Sequence, residues 1–153
     1  MGQSVLGGGR TDQARLFADA GLERRGRSLY LAEVALSEVA DGAGTPTYVY
    51  NANVVRRQYA ALDEALSSVP HRIAFAVKAN SNLAVLRVLR DLGAGADIVS
   101  GGELARALAA GFAADRIVFS GVGKTDEELT AAVTAGIGHI HLESAAELES
   151  LAG

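Results

Sequence analysis

Two charged residues interrupt apolar stretches of the sequence, and their residue types could do chemistry there. Lys78 follows the apolar run Ile73–Val77, and Asp97 lies inside the segment Gly95–Ser100. A lysine at the end of a buried strand is partly desolvated, which favours the neutral amine, a nucleophile that forms imines with carbonyl compounds. A carboxylate in an apolar strand is costly unless it is paired, and Asp97 could support a cofactor held near Lys78. The two residues together indicate a candidate site for imine chemistry.

Each of these residues also has a purely structural explanation. The stem of Lys78 could lie along the sheet edge while its ammonium reaches water. Asp97 could be a cap or loop residue at a frayed strand start. Glu103 is a third candidate, but it fits a capping box with Ser100, in which the hydroxyl and the carboxylate satisfy backbone N–H groups at a helix start. Periodicity alone favours the structural explanation for Lys78 and leaves that of Asp97 open.

The other polar motifs of the chain favour structural roles. Ser120–Lys124 resembles a phosphate-binding loop but lacks the spacing Gly-x-x-x-x-Gly-Lys-Ser/Thr, so we expect a strand-to-helix turn with Lys124 as a solvated charge. His139 and His141 alternate on a predicted strand without a nearby third ligand, and we therefore predict no metal site. Lys78 and Lys124 are the only lysines in the sequence.

The composition limits the classes of protein to which the chain can belong. With 153 residues, 49% of them hydrophobic, the chain is long enough for one ordinary domain and too apolar to be disordered. It has no cysteine, which excludes disulfides and thiolate metal sites and fits a reducing compartment. A net charge of −4 argues against nucleic acid as a partner. No apolar run approaches the roughly 18 residues of a membrane span. We expect a cytoplasmic protein with no nucleic-acid or membrane partner.

From Thr47 onward, short apolar runs alternate with amphipathic helical stretches, which is typical of βα units. The runs are continuously apolar, as in parallel strands that are buried on both faces. Three helix starts match the capping box Ser/Thr-x-x-Glu, at Ser100, Thr125 and Ser144. The predicted strands are Thr47–Tyr50, Ile73–Val77, Ala96–Val99, Ile117–Val122 and His139–Leu142. Five such units predict an α/β fold, either a (β/α) barrel or a doubly wound parallel sheet.

Residues 1–44 do not share this alternation of apolar runs and helical stretches. Met1–Gly9 is rich in glycine, which predicts a flexible start. Leu29–Leu31 lead into a predicted helix that runs to about Val39, because Leu31, Val34, Ala35 and Val39 share one apolar face at helical spacing. We place the main boundary after residue 44, so that residues 1–44 form an N-terminal segment and residues 45–153 form the β/α domain.

Four segments carry a resemblance to a known family, and they are Thr45–Tyr50, Phe75–Asn80, Asp97–Leu104 and Ile117–Thr125. In order and spacing they resemble the diaminopimelate decarboxylases, a branch of the fold-type III pyridoxal-phosphate decarboxylases, which are related in fold to alanine racemase. Val77–Asn80 alone indicates only the superfamily. Ser100–Leu104 and Ser120–Thr125 narrow the resemblance to the diaminopimelate branch. It covers roughly residue 29 to the end of the chain.

The resemblance implies roles for the candidate residues. Lys78 matches the lysine that binds pyridoxal 5'-phosphate as an imine and would be catalytic. Asp97 matches a carboxylate of the cofactor pocket, and Glu103 matches an acidic residue near that pocket. The family fold is a (β/α)8 TIM barrel followed by a β domain. Residues 45–153 would be about five βα units of an incomplete barrel, and part of residues 1–44 would join the β domain.

The resemblance also implies an activity, the decarboxylation of meso-2,6-diaminopimelate to L-lysine and CO2 in lysine biosynthesis. The substrate would be a small amino acid, and the full-length enzyme would be a homodimer. A (β/α)8 barrel needs about 250 residues, so we expect an N-terminal fragment that is inactive alone, because the family's phosphate loop and substrate-binding residues would follow Gly153. Two alternatives stay open. One is another basic amino-acid decarboxylase of the same fold, acting on ornithine, lysine, arginine or carboxynorspermidine. The other is a noncatalytic half-barrel that binds cofactor or a partner chain.

Overall fold

A computed structural model describes residues 17–152 of the chain. These residues fall into two compact units, which divide between Val55 and Arg56. The predicted flexible start, residues 1–9, lies outside the described residues. Within residues 17–152, no helix is both long enough and apolar enough to cross a membrane.

The first unit contains a small antiparallel sheet, and only the last part of the helix predicted to run to about Val39 is helical. Its elements are β1 (Leu22–Arg25), β2 (Ser28–Leu31), β3 (Val34–Ala35) and α1 (Leu36–Ala43). Strand β2 pairs with both β1 and β3, and Gly26 takes a φ of 62° in the turn between β1 and β2. The helix prediction was right for Leu36–Val39, which lie in α1, and wrong for the residues before them. Those residues pair as β2 and β3, and helical spacing within one segment cannot reveal such a strand partner.

The second unit is a parallel sheet in which a helix follows each strand. Helix α2 (Ala52–Ala65) spans the division between the units and precedes the sheet. The four strands are β4 (Ala74–Ala76), β5 (Gly95–Ile98), β6 (Ile117–Phe119) and β7 (His139–Ile140). The helices that follow them are α3 (Leu83–Asp91), α4 (Gly101–Ala110), α5 (Asp126–Ala135) and α6 (Ala145–Ala152). The carboxyl end of each strand is therefore followed by a helix.

The order of the strands decides between the two folds that the sequence pattern allowed, a (β/α) barrel and a doubly wound sheet. The strands pair in the order β4-β5-β6-β7, and every pairing is parallel. A doubly wound sheet reverses its strand order at a switch point, whereas a (β/α) barrel adds each new strand beside the last. No reversal occurs in the sheet of residues 74–140. The predicted fold class, a partial (β/α) barrel, is confirmed.

The predicted first strand, Thr47–Tyr50, is not formed. Its residues have no regular secondary structure and are exposed, with Tyr48 at 89%. A run of good strand formers becomes a strand only when a neighbour satisfies its backbone N–H and C=O groups. Among residues 17–152 no strand pairs with this run, and the sheet accordingly begins at β4.

The two faces of the sheet differ, and the difference positions the site. The fully buried residues on one face of β5 and β6 are Ala96, Ile98, Ile117 and Phe119. Asp97 and Val118 alternate with them and are only half-buried. The helices bury Leu86, Leu104 and Leu129, which complete the apolar layer between sheet and helices. Asp97 therefore belongs to the opposite face, which we call the inner face and which in a closed barrel lines the interior.

Candidate functional site

Asp97 lies in the middle of the inner face, next to the carboxyl end of its strand. It is in register with Ala76 of β4 on one side and with Val118 of β6 on the other. Side chains in register on neighbouring strands project from the same face of a sheet. The carboxylate is thus flanked by a methyl group and an isopropyl group, neither of which can hydrogen-bond to it.

Lys78 lies just past the carboxyl end of β4, the strand beside Asp97. The strand ends at Ala76, and Val77–Ala79 form a single 3-10 turn. Val77 is 0% exposed and anchors this turn, whereas Lys78 itself is exposed. Among residues 17–152 its ammonium group makes no hydrogen bond and no ion pair. The lysine predicted from the sequence is therefore at the expected edge of the sheet, and its amine is available.

Ser120 contacts Asp97, and this contact was not predicted from the sequence. Its hydroxyl donates a short hydrogen bond to Asp97 Oδ1 from the first residue after β6. Asp97 Oδ2 accepts no hydrogen bond from residues 17–152. No buried side-chain nitrogen or oxygen of those residues lacks a partner, so Oδ2 is accessible to solvent. The signal in the sequence was the position of Ser120, at the carboxyl end of the strand next to that of Asp97.

Glu103 stands in the first turn of α4 and caps its own helix. Its N–H donates to the Ser100 hydroxyl at 3.3 Å, which is the first half of the predicted capping box. The second half differs from the prediction, because Glu103 Oε2 accepts from the N–H of Val99 at 2.8 Å and not from that of Ser100. The carboxylate is half-buried beside the end of β5, which agrees with a capping role.

Lys124 is buried, which contradicts the expectation of a solvated loop charge. Its side chain is 0% exposed, and Nζ donates to Glu147 Oε2 at 3.0 Å and to the carbonyl of His141 at 2.6 Å. The ammonium also lies 5.6 Å from the centre of the Phe119 ring. The prediction failed because the carboxylate that compensates this charge is 23 residues away in the sequence. Through these contacts Lys124 links the loop after β6 to the next βα unit, which contains His141 and Glu147.

Two capping glutamates also reach into the preceding βα unit. Glu128 completes the capping box with Thr125 and accepts from the N–H of Gly101 at 2.7 Å. These two backbone donors hold the pKa of the Glu128 carboxyl below its ordinary value of 4.5. Glu147 accepts from the N–H of Glu143 at 2.9 Å and from Lys124, and both interactions lower its carboxyl pKa in the same way. The capping glutamates therefore link neighbouring units at the carboxyl edge of the sheet.

Within residues 17–152, the carboxyl edge thus offers an amine without a partner and a carboxylate with one accessible oxygen, next to each other on adjacent strands. A primary amine can bond to the carbon of an aldehyde, and a fixed carboxylate can orient a bound polar ring beside it. These groups fit a cofactor that carries an aldehyde. No cluster of three or more metal-ligating side chains occurs among residues 17–152.

Comparison with known proteins identifies the class to which this arrangement belongs. Residues 52–153 match the pyridoxal-dependent decarboxylases, at their pyridoxal-binding domain. The match extends over more than half of the sequence, and the chain belongs to this family. The predicted cofactor class, pyridoxal phosphate, is confirmed by that assignment.

Individual relatives show what the chain is similar to within this family. Diaminopimelate decarboxylase of Pseudomonas fluorescens is 56% identical over 126 residues, which are 82% of this chain and 30% of the relative. The crystal structure of diaminopimelate decarboxylase from M. jannaschii in complex with L-lysine superimposes with a TM-score of 0.80 at 34% identity, over 85% of this chain and 31% of that one. Lysine/ornithine decarboxylase of Vibrio vulnificus, complexed with putrescine, gives a TM-score of 0.69 at 27% identity, over 75% of this chain and 31% of that one. The predicted resemblance is confirmed, and the chain spans about 30% of the length of the curated relatives it matches.

Proposed function

We propose that this chain is the pyridoxal-binding part of an enzyme that converts meso-2,6-diaminopimelate to L-lysine and CO2. The observation that supports the proposal most directly is the free amine of Lys78 at the carboxyl end of a barrel strand, the edge where barrel enzymes place their active sites. Similarity to diaminopimelate decarboxylases, one of them solved with L-lysine, supports the choice of substrate.

The proposal gives each candidate residue a role. Lys78 would hold the cofactor's aldehyde carbon through Nζ, with the carbonyl oxygen released as water, and would so fix the cofactor at the edge of the sheet. Asp97 orients the bound group through its accessible Oδ2 from the neighbouring strand. Glu103 forms part of the pocket wall while it caps α4. Pyridoxal phosphate, when bound, supplies a conjugated ring that accepts the electron pair released as CO2 leaves.

Several finer features belong to the same proposal. Residues 45–153 would form the pyridoxal-binding part of the barrel, and part of residues 1–44 would belong with a β domain. The complete enzyme would be a homodimer in the cytoplasm, acting on a small amino acid. The absence of cysteine from the sequence is compatible with a reducing compartment.

The proposal is tested by measuring CO2 release from the complete gene product loaded with pyridoxal phosphate. We expect release from meso-diaminopimelate, none from L-lysine, L-ornithine or L-arginine, and loss of release in Lys78→Ala. Release from ornithine or lysine alone would contradict the proposed substrate and favour a function like that of the Vibrio vulnificus relative. Binding of the cofactor without any CO2 release would favour the noncatalytic half-barrel.

A further inference from the structure

The Ser120 hydroxyl holds one oxygen of Asp97 and leaves the other accessible. Ser120 donates to Asp97 Oδ1, while Oδ2 accepts no hydrogen bond from residues 17–152. A carboxylate with no such contact exchanges its two oxygens by rotation about its last side-chain bond, whose preferences are broad. A single strong donor on one oxygen removes that freedom and fixes the direction in which the second oxygen points.

The backbone on both sides of Ser120 is fixed by contacts of its own, so the fold itself places the Ser120 hydroxyl beside Asp97. The N–H of Ser120 donates to the carbonyl of Ile98 at 2.9 Å and continues the pairing between β5 and β6. At Gly121, a Cβ atom would lie 2.5 Å from the carbonyl oxygen of Val99, so that only glycine fits against β5 there. At the far end of the loop, Lys124 is anchored by its buried ion pair.

We propose that Ser120 is a positioning residue that directs Asp97 Oδ2 towards the bound pyridoxal cofactor. Ser120 itself does not touch the cofactor, and it acts only through the carboxylate. The inference rests on the proposed function, because it takes the cofactor to be the group that Asp97 orients.

The test is a double-mutant cycle on the dissociation constant of pyridoxal phosphate, measured by fluorescence on the complete gene product. The variants are Ser120→Ala, Asp97→Ala and the double variant. Loss of a hydrogen bond to a charged group typically changes an equilibrium constant by about tenfold. We expect Ser120→Ala to raise the dissociation constant about tenfold in the native background and less than about twofold beside Asp97→Ala, which has no oxygen to accept from the hydroxyl. Ser120→Thr keeps the hydroxyl and should restore most of the affinity.

A matched control separates positioning from stability. Like Ser120, Ser144 makes a hydrogen bond through its hydroxyl, which accepts from the N–H of Glu147 at 3.2 Å at the start of α6. It has no hydrogen bond with Asp97. Ser144→Ala should lower the melting temperature and leave the dissociation constant unchanged. If Ser120→Ala does not fold, the isosteric pair Ser120→Thr and Ser120→Val replaces it, and only the valine variant should lose affinity.

The outcomes distinguish this inference from the proposed function. Equal effects of Ser120→Ala in the native and Asp97→Ala backgrounds, or no effect in the native background, would overturn the positioning role while the cofactor still binds. Failure of the native protein to bind pyridoxal phosphate at all would overturn the proposed function, and this inference with it.

Discussion

The ammonium of Lys124 and the carboxylate of Glu147 form a buried ion pair of 3.0 Å that joins two successive βα units. Lys124 precedes helix α5, and Glu147 lies in the first turn of helix α6. The backbone N–H of Lys124 donates to the same carboxylate at 3.2 Å. This pair holds the end of the loop that begins at Ser120, so it bears on both the stability of the sheet and the geometry of the candidate site.

Removal of the Lys124 ammonium should destabilise the protein strongly. In Lys124→Met, a buried carboxylate remains without its cation, and such changes cost about 3–5 kcal/mol. The double variant Lys124→Met/Glu147→Leu should be less destabilised than Lys124→Met, because it leaves no unpaired charge. Urea unfolding of the complete gene product checks the order of the midpoints. A midpoint for Lys124→Met equal to that of the native protein would show that the pair contributes nothing.

Gly121→Ala should disturb the junction between β5 and the loop after β6. The new Cβ would lie 2.5 Å from the carbonyl oxygen and 2.7 Å from the Cα of Val99, and neither backbone atom can move without moving the strand. Overpacking of this kind costs about 1–3 kcal/mol. Gly102→Ala is the matched control, since its nearest neighbour would be Ser100 Oγ at 3.8 Å. A melting temperature lowered equally in both variants would contradict the steric argument.

His71 should make stability depend on pH near neutrality. Its Nδ1 lies 3.0 Å from the carbonyl of Val69 and its Nε2 lies 3.0 Å from Asp63 Oδ1, so only the protonated ring can donate to both. The Val69 carbonyl and the Asp63 carboxylate raise the pKa of His71 above its ordinary value of 6.5. A group with a raised pKa adds stability that is complete below 6.5 and is lost as pH rises through the folded-state pKa.

The measurement is the difference in melting temperature between the native protein and His71→Asn, at about pH 6 and about pH 9. The difference should be larger at the lower pH. His139→Asn serves as the control, because His139 is exposed on β7 and makes no hydrogen bond to another described side chain. A difference for His71→Asn that stays constant or grows towards the higher pH would contradict the assignment.

Features that depend on neighbouring residues in the sequence were predictable. The hydroxyls of Ser100, Thr125 and Ser144 each accept from the N–H three residues on, as the capping motif predicts. Only Thr125 completes a capping box, because Glu103 and Glu147 accept from other backbone N–H groups. The strands β4 to β7 also lie within or overlap the predicted apolar runs, since continuous burial leaves a local trace in the sequence.

Features that depend on distant partners were not predictable. The burial of Lys124 depends on a carboxylate 23 residues away, and the contact of Ser120 with Asp97 depends on the register between β5 and β6. The pairing of β2 with β3 replaced the first part of a predicted helix, because the partnership of Leu31 with Val34 is likewise invisible in the helical spacing. Lys78 was placed at the correct sheet edge from pattern, but its role came from the resemblance of the surrounding motif.

Lys78 is the residue on which the proposed function depends most, and covalent labelling tests its role most directly. The complete gene product is loaded with pyridoxal phosphate, reduced with borohydride, digested and examined by mass spectrometry, with Lys78→Arg as the control. We expect a pyridoxyl group on the peptide that carries Lys78, and none in the control. Lys78 is exposed and makes no hydrogen bond or ion pair with residues 17–152, while the side chain of Lys124 is fully buried. A pyridoxyl group on Lys124 or on a lysine elsewhere, with Lys78 unmodified, would contradict the account.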